Sequence, residues 1–135
     1  MTTKIFVNLP VKDLDRTKEF FGKLGFTFNA QFTNGEAACM VISEDIYAML
    51  VTRERFKDFT NKEIADATRT TEVLTTLALE SRAKVDEMLN AALEAGGTEA
   101  RPAEDHCFMY GRSFNDPDGH IWEVFHMDPS AIQES

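Results

Sequence analysis

The chain opens with apolar and polar residues in alternation and then changes to a helical spacing. Residues 4–11 alternate with a period of two, which predicts a strand with one apolar face. Asp13 then stands at an N-cap position, and apolar residues recur every three or four positions until Gly25, which predicts an amphipathic helix. Three strand-like runs follow, at residues 26–32, 36–43 and 46–53. The pair Asn34-Gly35 between the first two predicts a hairpin turn.

The same order of elements returns after a polar segment. Residues 54–71 are charged and lack a β pattern, so we interpret them as a partly helical connector. Residues 72–80 are strand-like, and Ser81 is positioned to cap a helix that stops at Gly96, 71 residues after Gly25. Further strand-like runs stand at residues 98–101, 107–114 and 121–127, with an Asp-Pro-Asp-Gly turn at 116–119.

This repetition predicts an α+β fold of two βαβββ modules within a single domain, residues 1–135. The modules span residues 4–53 and 72–127, and the connector spans 54–71. A helix covers only one face of a four-stranded sheet, so the other face needs a second cover. We therefore expect the two modules to form a cup-shaped mixed sheet around a ligand-sized pocket.

Composition and charge narrow the class of protein. The chain has 135 residues, 43% hydrophobic and 27% charged, as in one soluble globular domain. Its 23 acidic against 14 basic residues give a net charge of -9, which disfavours binding to nucleic acid or to an anionic membrane. No apolar run approaches the roughly 20 residues of a membrane span. The start lacks the layout of a signal peptide, so we expect a cytoplasmic location.

Two cysteines complete the compositional picture. Cys39 and Cys107 form no CxxC pair and stand in apolar surroundings. We expect both to be small buried residues, and a disulfide scaffold or zinc site is disfavoured.

One acidic residue in the last predicted strand points to chemistry. Glu123 stands between apolar neighbours, on the strand face opposite Trp122 and Val124. Because these two neighbours suit packing beneath a helix, we expect Glu123 to point into the cavity between the modules. A strand glutamate at a solvent edge is the simpler alternative.

The chain resembles the vicinal oxygen chelate superfamily, the group of glyoxalases, bleomycin-resistance proteins and extradiol dioxygenases. The resemblance covers residues 4–127 and depends on the duplicated βαβββ order and on two motifs. These are V-K-D-L-D-R-T-K-E-F-F-G-K-L-G-F at residues 11–26 and D-P-D-G-H-I-W-E-V at residues 116–124. It implies a cup that, in metal-dependent members, holds a divalent ion with ligands from the first and last strands of each module.

Carried over position by position, the implied ligand set is mostly lost. The four positions fall on Phe6, on or beside Met49, on Thr76 and on Glu123. Since only Glu123 is a suitable ligand for a hard cation, we expect no cofactor and disfavour a divalent metal. A rearranged metal site would need one of the three histidines, which are His106, His120 and His126.

The candidate ligand-binding residues are Phe6, Asn8, Thr76, Tyr110, Arg112 and Glu123. Tyr110 and Arg112 share one face of a predicted strand, and strand parity does not decide whether that face lines the cup. If it does, Arg112 is expected to pair with Glu123 or clamp an anionic substrate. If it does not, both residues serve packing.

Two functions therefore compete. The first is a metal-independent protein of the bleomycin-resistance kind that binds a cationic or amphipathic small molecule in the cup. The second is a glyoxalase-type lyase or isomerase in which Glu123 acts as general base, with or without a divalent metal. A homodimer is expected in either case, because the sheets leave open edges and an apolar face, and because the resemblance implies one.

Overall fold

A computed structural model describes residues 2–128, and the chain divides into two compact units, Met1–Asp66 and Ala67–Ser135. Each unit contains one four-stranded mixed sheet and one long helix in the order βαβββ. The predicted α+β class is therefore confirmed. The boundary between the units falls inside the segment interpreted as the connector.

The first unit has the sheet order β1-β4-β3-β2. Its elements are β1 Ile5–Val11, α1 Leu14–Lys23, β2 Thr27–Phe28, β3 Ala37–Ser43, β4 Ile46–Thr52 and α2 Arg53–Phe56. Strands β1 and β4 run parallel, and the other neighbours are antiparallel.

Helix α1 begins and ends where the sequence predicts. The Asp13 carboxylate accepts a hydrogen bond from the Arg16 backbone N–H, and Gly25 has a positive φ of 101° just beyond the helix. The helix buries Thr17, Phe20 and Phe21. The strand residues buried in this unit are Leu9, Val11, Ala38, Cys39, Met40, Ala48, Leu50 and Val51.

The hairpin predicted at Asn34-Gly35 is wrong in its details. Strand β2 has only two residues and is followed by a 3-10 turn at Ala30–Phe32, which the Asn29 side chain caps. The Asn34 side chain accepts hydrogen bonds from the two backbone N–H groups of residues 36 and 37, and Gly35 has no positive φ. The local Asn turn replaces the two-residue hairpin turn.

The second unit has the sheet order β5-β8-β7-β6. Its elements are β5 Leu74–Ala78, α3 Arg82–Glu94, β6 Thr98–Asp105, β7 Met109–Asn115 and β8 Ile121–Met127. Ser81 caps α3 as predicted, by accepting from the Lys84 backbone N–H. Strand β6 is longer than the predicted 98–101 and contains register shifts on both sides of Arg101.

The turn before β8 is fixed by a buried carboxylate. Asp116 accepts hydrogen bonds from the backbone N–H groups of Asp118 and His120 and, at 3.1 Å, from Nε1 of Trp122. Burial raises the pKa of Asp116 above its usual range. Gly119 closes the turn with a φ of 88°, and a Cβ there would lie 2.9 Å from the Ala67 carbonyl oxygen. This turn therefore holds both Trp122 and the start of the second unit in place.

Two compositional expectations have different outcomes. Cys39 is buried as predicted, whereas Cys107 is exposed, so its predicted burial is wrong. None of the helices within residues 2–128 has the length and apolar content to cross a bilayer.

Candidate functional site

The second sheet has one face against α3 and one face turned away from it, which we call the far face. Trp122, Val124 and Phe114 are almost completely buried, and α3 packs on strands β7 and β8. The two-residue period of β8 then places Glu123 on the far face. The predicted parity of this strand is confirmed.

Glu123 belongs to a row of four residues that crosses the far face, one from each strand. In the order of the strands, the row consists of Thr76, Glu123, Ser113 and Arg101. We call this set the Glu123 row. Thr76 Oγ1 donates to Glu123 Oε1 at 3.1 Å, while Arg101 Nη2 and Nε donate to Glu123 Oε2 at 2.8 and 3.3 Å.

The ion pair in this row spans a strand. Arg101 lies on β6 and Glu123 on β8, and Ser113 on the intervening β7 is in register with both. The guanidinium therefore reaches Glu123 across Ser113, whose exposed fraction is 1%. Ser113 Oγ is buried without a hydrogen-bond partner, an arrangement that costs free energy in a folded protein.

A second carboxylate approaches the same guanidinium. Glu104 pairs with Nη1 of Arg101, and this hydrogen bond holds the pKa of Glu104 below its usual range. The hydrogen bonds that Arg101 donates to Glu123 and Glu104 in turn raise the pKa of Arg101. One cation thus faces two carboxylates, which leaves the cluster with an excess of negative charge.

An apolar row borders the Glu123 row on the same face. Phe125 is in register with Ala78 on one side and Gly111 on the other. A Cβ at Gly111 would lie 3.6 Å from both the Phe125 Cβ and the Met109 Sδ, so the Met109 side chain also borders this row. The far face therefore combines a charged row with an adjacent aromatic ring.

Tyr110 and Arg112 lie on the opposite face, beneath α3. The Tyr110 hydroxyl donates to Asp86 Oδ1 at 2.5 Å, and Arg112 pairs with Asp86 at 3.1 Å and with Glu99 at 2.9 Å. The hydrogen bond from Tyr110 holds the pKa of Asp86 below its usual range, and Arg112 adds to this effect. The pairing of Arg112 with Glu123, expected if this face lined the cup, is wrong, because the two side chains are on opposite faces of the sheet; the alternative, that Tyr110 and Arg112 pack beneath the helix, holds.

Phe6 and Asn8 lie in the first unit, on the face of that sheet away from α1. Phe6 stacks on Tyr47 with a centroid distance of 4.7 Å, and Asn8 is in register with Met49. The Asn8 side chain donates only a long hydrogen bond, 3.4 Å, to the Phe6 carbonyl. Their predicted role in ligand binding stays a prediction.

The helix caps correct one assignment made from the resemblance. Phe6 precedes the cap residue Asp13 by seven positions, and the residue seven positions before Ser81 is Leu74, not Thr76. By the same count the counterpart of Thr76 is Asn8. Leu74 carries no metal-ligating group either.

The residues present do not fit the metal site implied by the resemblance. Thr76 donates to one oxygen of Glu123, and the other oxygen is engaged by the Arg101 cation, which would repel a dication. Within residues 2–128, no three His, Cys, Asp or Glu side chains are grouped so that they could hold a metal ion.

The three histidines have different contacts. His106 stacks on Phe108 and lies 3.8 Å from Glu104, and Nδ1 of His126 lies 2.9 Å from the Leu79 carbonyl oxygen. His120 belongs to the turn held by Asp116. None of these contacts involves Glu123.

Sequence reasoning missed Arg101, Ser113 and Glu104. The available signal was a group of four charged residues within positions 99–105, which is unusual for a short strand-like stretch. A groove also exists at the start of α1, lined by Lys12, Asp13, Leu14, Asp15, Arg16, Gly35 and Thr52. Its central carboxylate, Asp13, already caps the helix.

Comparison with known proteins places this architecture. Residues 3–43 match the family model described as bleomycin resistance protein-like N-terminal, which covers less than a third of the chain. No curated protein matches the sequence.

Solved structures match over nearly the whole chain. A hypothetical protein from S. aureus is 26% identical, with a TM-score of 0.78 over 93% of this chain and 94% of that one. A glyoxalase/bleomycin resistance protein/dioxygenase family enzyme from Burkholderia phytofirmans is 14% identical, with a TM-score of 0.76 over 93% and 99%. The fosfomycin resistance protein FosX from Listeria monocytogenes is 15% identical, with a TM-score of 0.68 over 96% and 97%.

These matches support the fold rather than a reaction, because most of the similar structures share less than a quarter of their residues with this chain. They confirm the fold expected from the resemblance: the chain has the fold of structures described as glyoxalase/bleomycin resistance/dioxygenase family and fosfomycin resistance proteins.

Proposed function

We propose that this protein binds a small molecule on the far face of the second sheet, around Glu123, without the divalent metal of its metal-dependent relatives. The observation that carries the proposal is the Arg101 guanidinium at Glu123 Oε2, 2.8 Å away. The carboxylate that would serve as a metal ligand is already paired with a cation of the chain itself. A polar ligand that exchanges with this cation requires no metal.

The geometry favours binding over general-base catalysis. Both oxygens of Glu123 already accept hydrogen bonds, one from Thr76 and one from Arg101. A carboxylate that takes a proton from a substrate needs a free acceptor site within hydrogen-bond reach of that proton. With one bond from Thr76 and two from Arg101, Glu123 already uses three of its roughly four acceptor sites.

We include a homodimer and a cytoplasmic location in the proposal. Large apolar side chains are exposed on the first strand of each unit and on β4, as expected of surfaces that associate. They are Ile5, Phe6, Ile46 and Leu74. Sedimentation of the protein as a monomer at micromolar concentration would contradict the dimer.

The test is a fragment titration followed by ¹H–¹⁵N NMR, with wild-type protein and Glu123→Gln. A matched control is Glu87→Gln, because Glu87 is an exposed carboxylate on α3 whose ion pair with Lys84 is remote from the far face. We expect fragments that shift the amides of residues 121–125 in the wild type and in the control to lose that effect in Glu123→Gln.

Two results would contradict the proposal. One is stoichiometric metal in protein purified without chelators. The other is a set of fragments that binds Glu123→Gln as it binds the wild type, with circular dichroism showing that the variant is folded.

A further inference from the structure

We infer that the ligand carries a guanidinium or ammonium group, which takes the place of the Arg101 guanidinium between Glu123 and Glu104. This inference rests on the proposed function and names the class of ligand for the same site. It follows from what the site now contains, a guanidinium belonging to the chain.

The two carboxylates are arranged to hold a planar cation. Glu123 receives Nε and Nη2 of Arg101, and Glu104 receives Nη1, so both acids point at one guanidinium from different sides. When Arg101 withdraws, two negative charges remain facing the same space. An organic cation is the ligand that compensates both, whereas an anion would meet their repulsion.

The Ser113 hydroxyl is the second observation that points to a ligand here. It lies between Glu123 and Arg101 in the Glu123 row, is 1% exposed and has no hydrogen-bond partner. The Arg101 side chain crosses it without bonding to it. A ligand that displaces Arg101 uncovers this hydroxyl, which then accepts a hydrogen bond from the ligand's N–H groups.

Arg101 is placed where it can withdraw. Its side chain is 51% exposed, and it belongs to β6, which lies at the edge of the sheet. The pairing of β6 with β7 shifts register both before and after Arg101. Because the ladder is already interrupted there, a movement of this segment breaks few backbone hydrogen bonds.

The neighbouring apolar row suggests the rest of the ligand. Phe125 stands two residues after Glu123 on the same face, between Ala78 and Gly111. An aromatic group attached to the cation by one carbon can rest on this ring while its cation reaches Glu123. Benzylguanidinium is therefore the probe of choice.

The experiment measures dissociation constants by calorimetry for benzylguanidinium, neutral benzylurea and anionic phenylacetate. The proteins are wild type, Arg101→Gln, Arg101→Lys and Glu123→Gln. The matched control is Arg82→Gln, because Arg82 also forms a half-exposed ion pair, with Asp105, but is not in the Glu123 row. Circular dichroism checks that each variant is folded.

We expect Arg101→Gln to tighten benzylguanidinium binding by about tenfold, as expected if the internal ion pair is closed about nine-tenths of the time. Arg101→Lys should give a smaller gain, because lysine keeps the charge but loses the planar donor set. Glu123→Gln should weaken binding, and Arg82→Gln should leave it unchanged. Benzylurea should bind all five proteins equally weakly.

Other outcomes overturn the inference and separate it from the proposed function. Phenylacetate that binds wild type and fails with Arg101→Gln would assign an anionic ligand to Arg101, with the far-face site retained. Mn²⁺ that binds Arg101→Gln more tightly than benzylguanidinium would assign a metal. Benzylguanidinium binding that neither the Arg101 nor the Glu123 substitution changes would overturn the inference and the proposed function together.

Discussion

The two sheets carry the same row of positions with different chemistry. Counted from the helix caps, the counterparts of Thr76, Glu123 and Ser113 are Asn8, Met49 and Cys39. Strands β3 and β7 each contribute a small residue to their row, and these residues, Cys39 and Ser113, are each 1% exposed. The fold thus determines the size of the residue on β3 and β7, while the residues beside it determine whether the row is uncharged or charged.

The two units also differ in which element supplies the large side chains buried between helix and sheet. In the first unit α1 supplies the large residues Phe20 and Phe21, and the sheet offers Ala48 beneath them. In the second unit α3 buries smaller side chains, and the sheet supplies Trp122, the counterpart of Ala48. Each unit fills its core, but from different elements.

The largest expected effect tests this exchange of volume. Trp122→Ala should lower the free energy of unfolding by about 3–5 kcal/mol, since it removes a buried indole and leaves a cavity. It also leaves Asp116 without one of its donors. Denaturant unfolding followed by circular dichroism measures the loss.

Phe21→Ala is the matched variant in the first unit, where the ring is 0% exposed. This variant should also lower the free energy of unfolding by about 3–5 kcal/mol. A loss below about 1 kcal/mol for either variant would contradict the assignment of that residue to a closely packed core.

Substitutions at Cys39 and Ser113 should change the free energy of unfolding by intermediate amounts and in opposite directions. Cys39→Ser places a hydroxyl at a buried position beside Met49 and should lower the free energy of unfolding by about 1–3 kcal/mol. Burial already raises the pKa of the Cys39 thiol, in keeping with an apolar site. Ser113→Ala removes a buried hydroxyl that has no partner, and should leave the free energy of unfolding unchanged or slightly raised.

Thermal and urea unfolding of the two variants measure this difference. If Ser113→Ala destabilised the protein as strongly as Cys39→Ser does, the Ser113 hydroxyl would have to be bonded, and its use as evidence of a ligand would fail.

The smallest expected effect concerns pH. The hydrogen bond from Tyr110 lowers the pKa of Asp86 in the folded state, so its contribution is present above the ordinary carboxyl pKa of about 4 and is lost as pH falls through the lowered value. Because Asp86 is 47% exposed, we expect only about 0.2–0.5 kcal/mol.

Urea unfolding between about pH 2 and pH 6 should show this acid-side loss in the wild type and a weaker one in Asp86→Asn. Asp58→Asn serves as the control, because its pairing with Arg55 is an exposed contact of the first unit. If the free energy of unfolding fell equally with decreasing pH in the wild type and in Asp86→Asn, the role given to the hydrogen bond from Tyr110 would be contradicted.

Local signals in the sequence predicted most of the fold. The caps at Asp13 and Ser81 and the glycines at 25 and 96 fixed both helices, since each acts through the backbone nearest to it. Parity placed Trp122 beneath the helix. The Asn34-Gly35 pair misled because the Asn side chain bonds to its own backbone, which competes with a hairpin turn.

The candidate site was predictable only in part. Glu123 could be placed on the far face because β8 is regular, but Arg101 could not, since the register shifts in β6 break the two-residue period. The two-residue period of β7 put Tyr110 and Arg112 on one face of the strand but did not show which side of the sheet that face is on. Their partner Asp86 is 24 residues from Tyr110, and nothing in the sequence indicates that the two meet.

The irregularity of β6 also affects self-association through strand addition. An edge strand with a regular ladder can template a further strand from another molecule. Strand β6 interrupts that template with its register shifts and with Pro102, which has no N–H to donate. The first sheet has only the two-residue β2 at the corresponding edge. Each unit thereby discourages aggregation at this edge, one by brevity and the other by distortion, and the distortion is what leaves Arg101 free to cross the sheet.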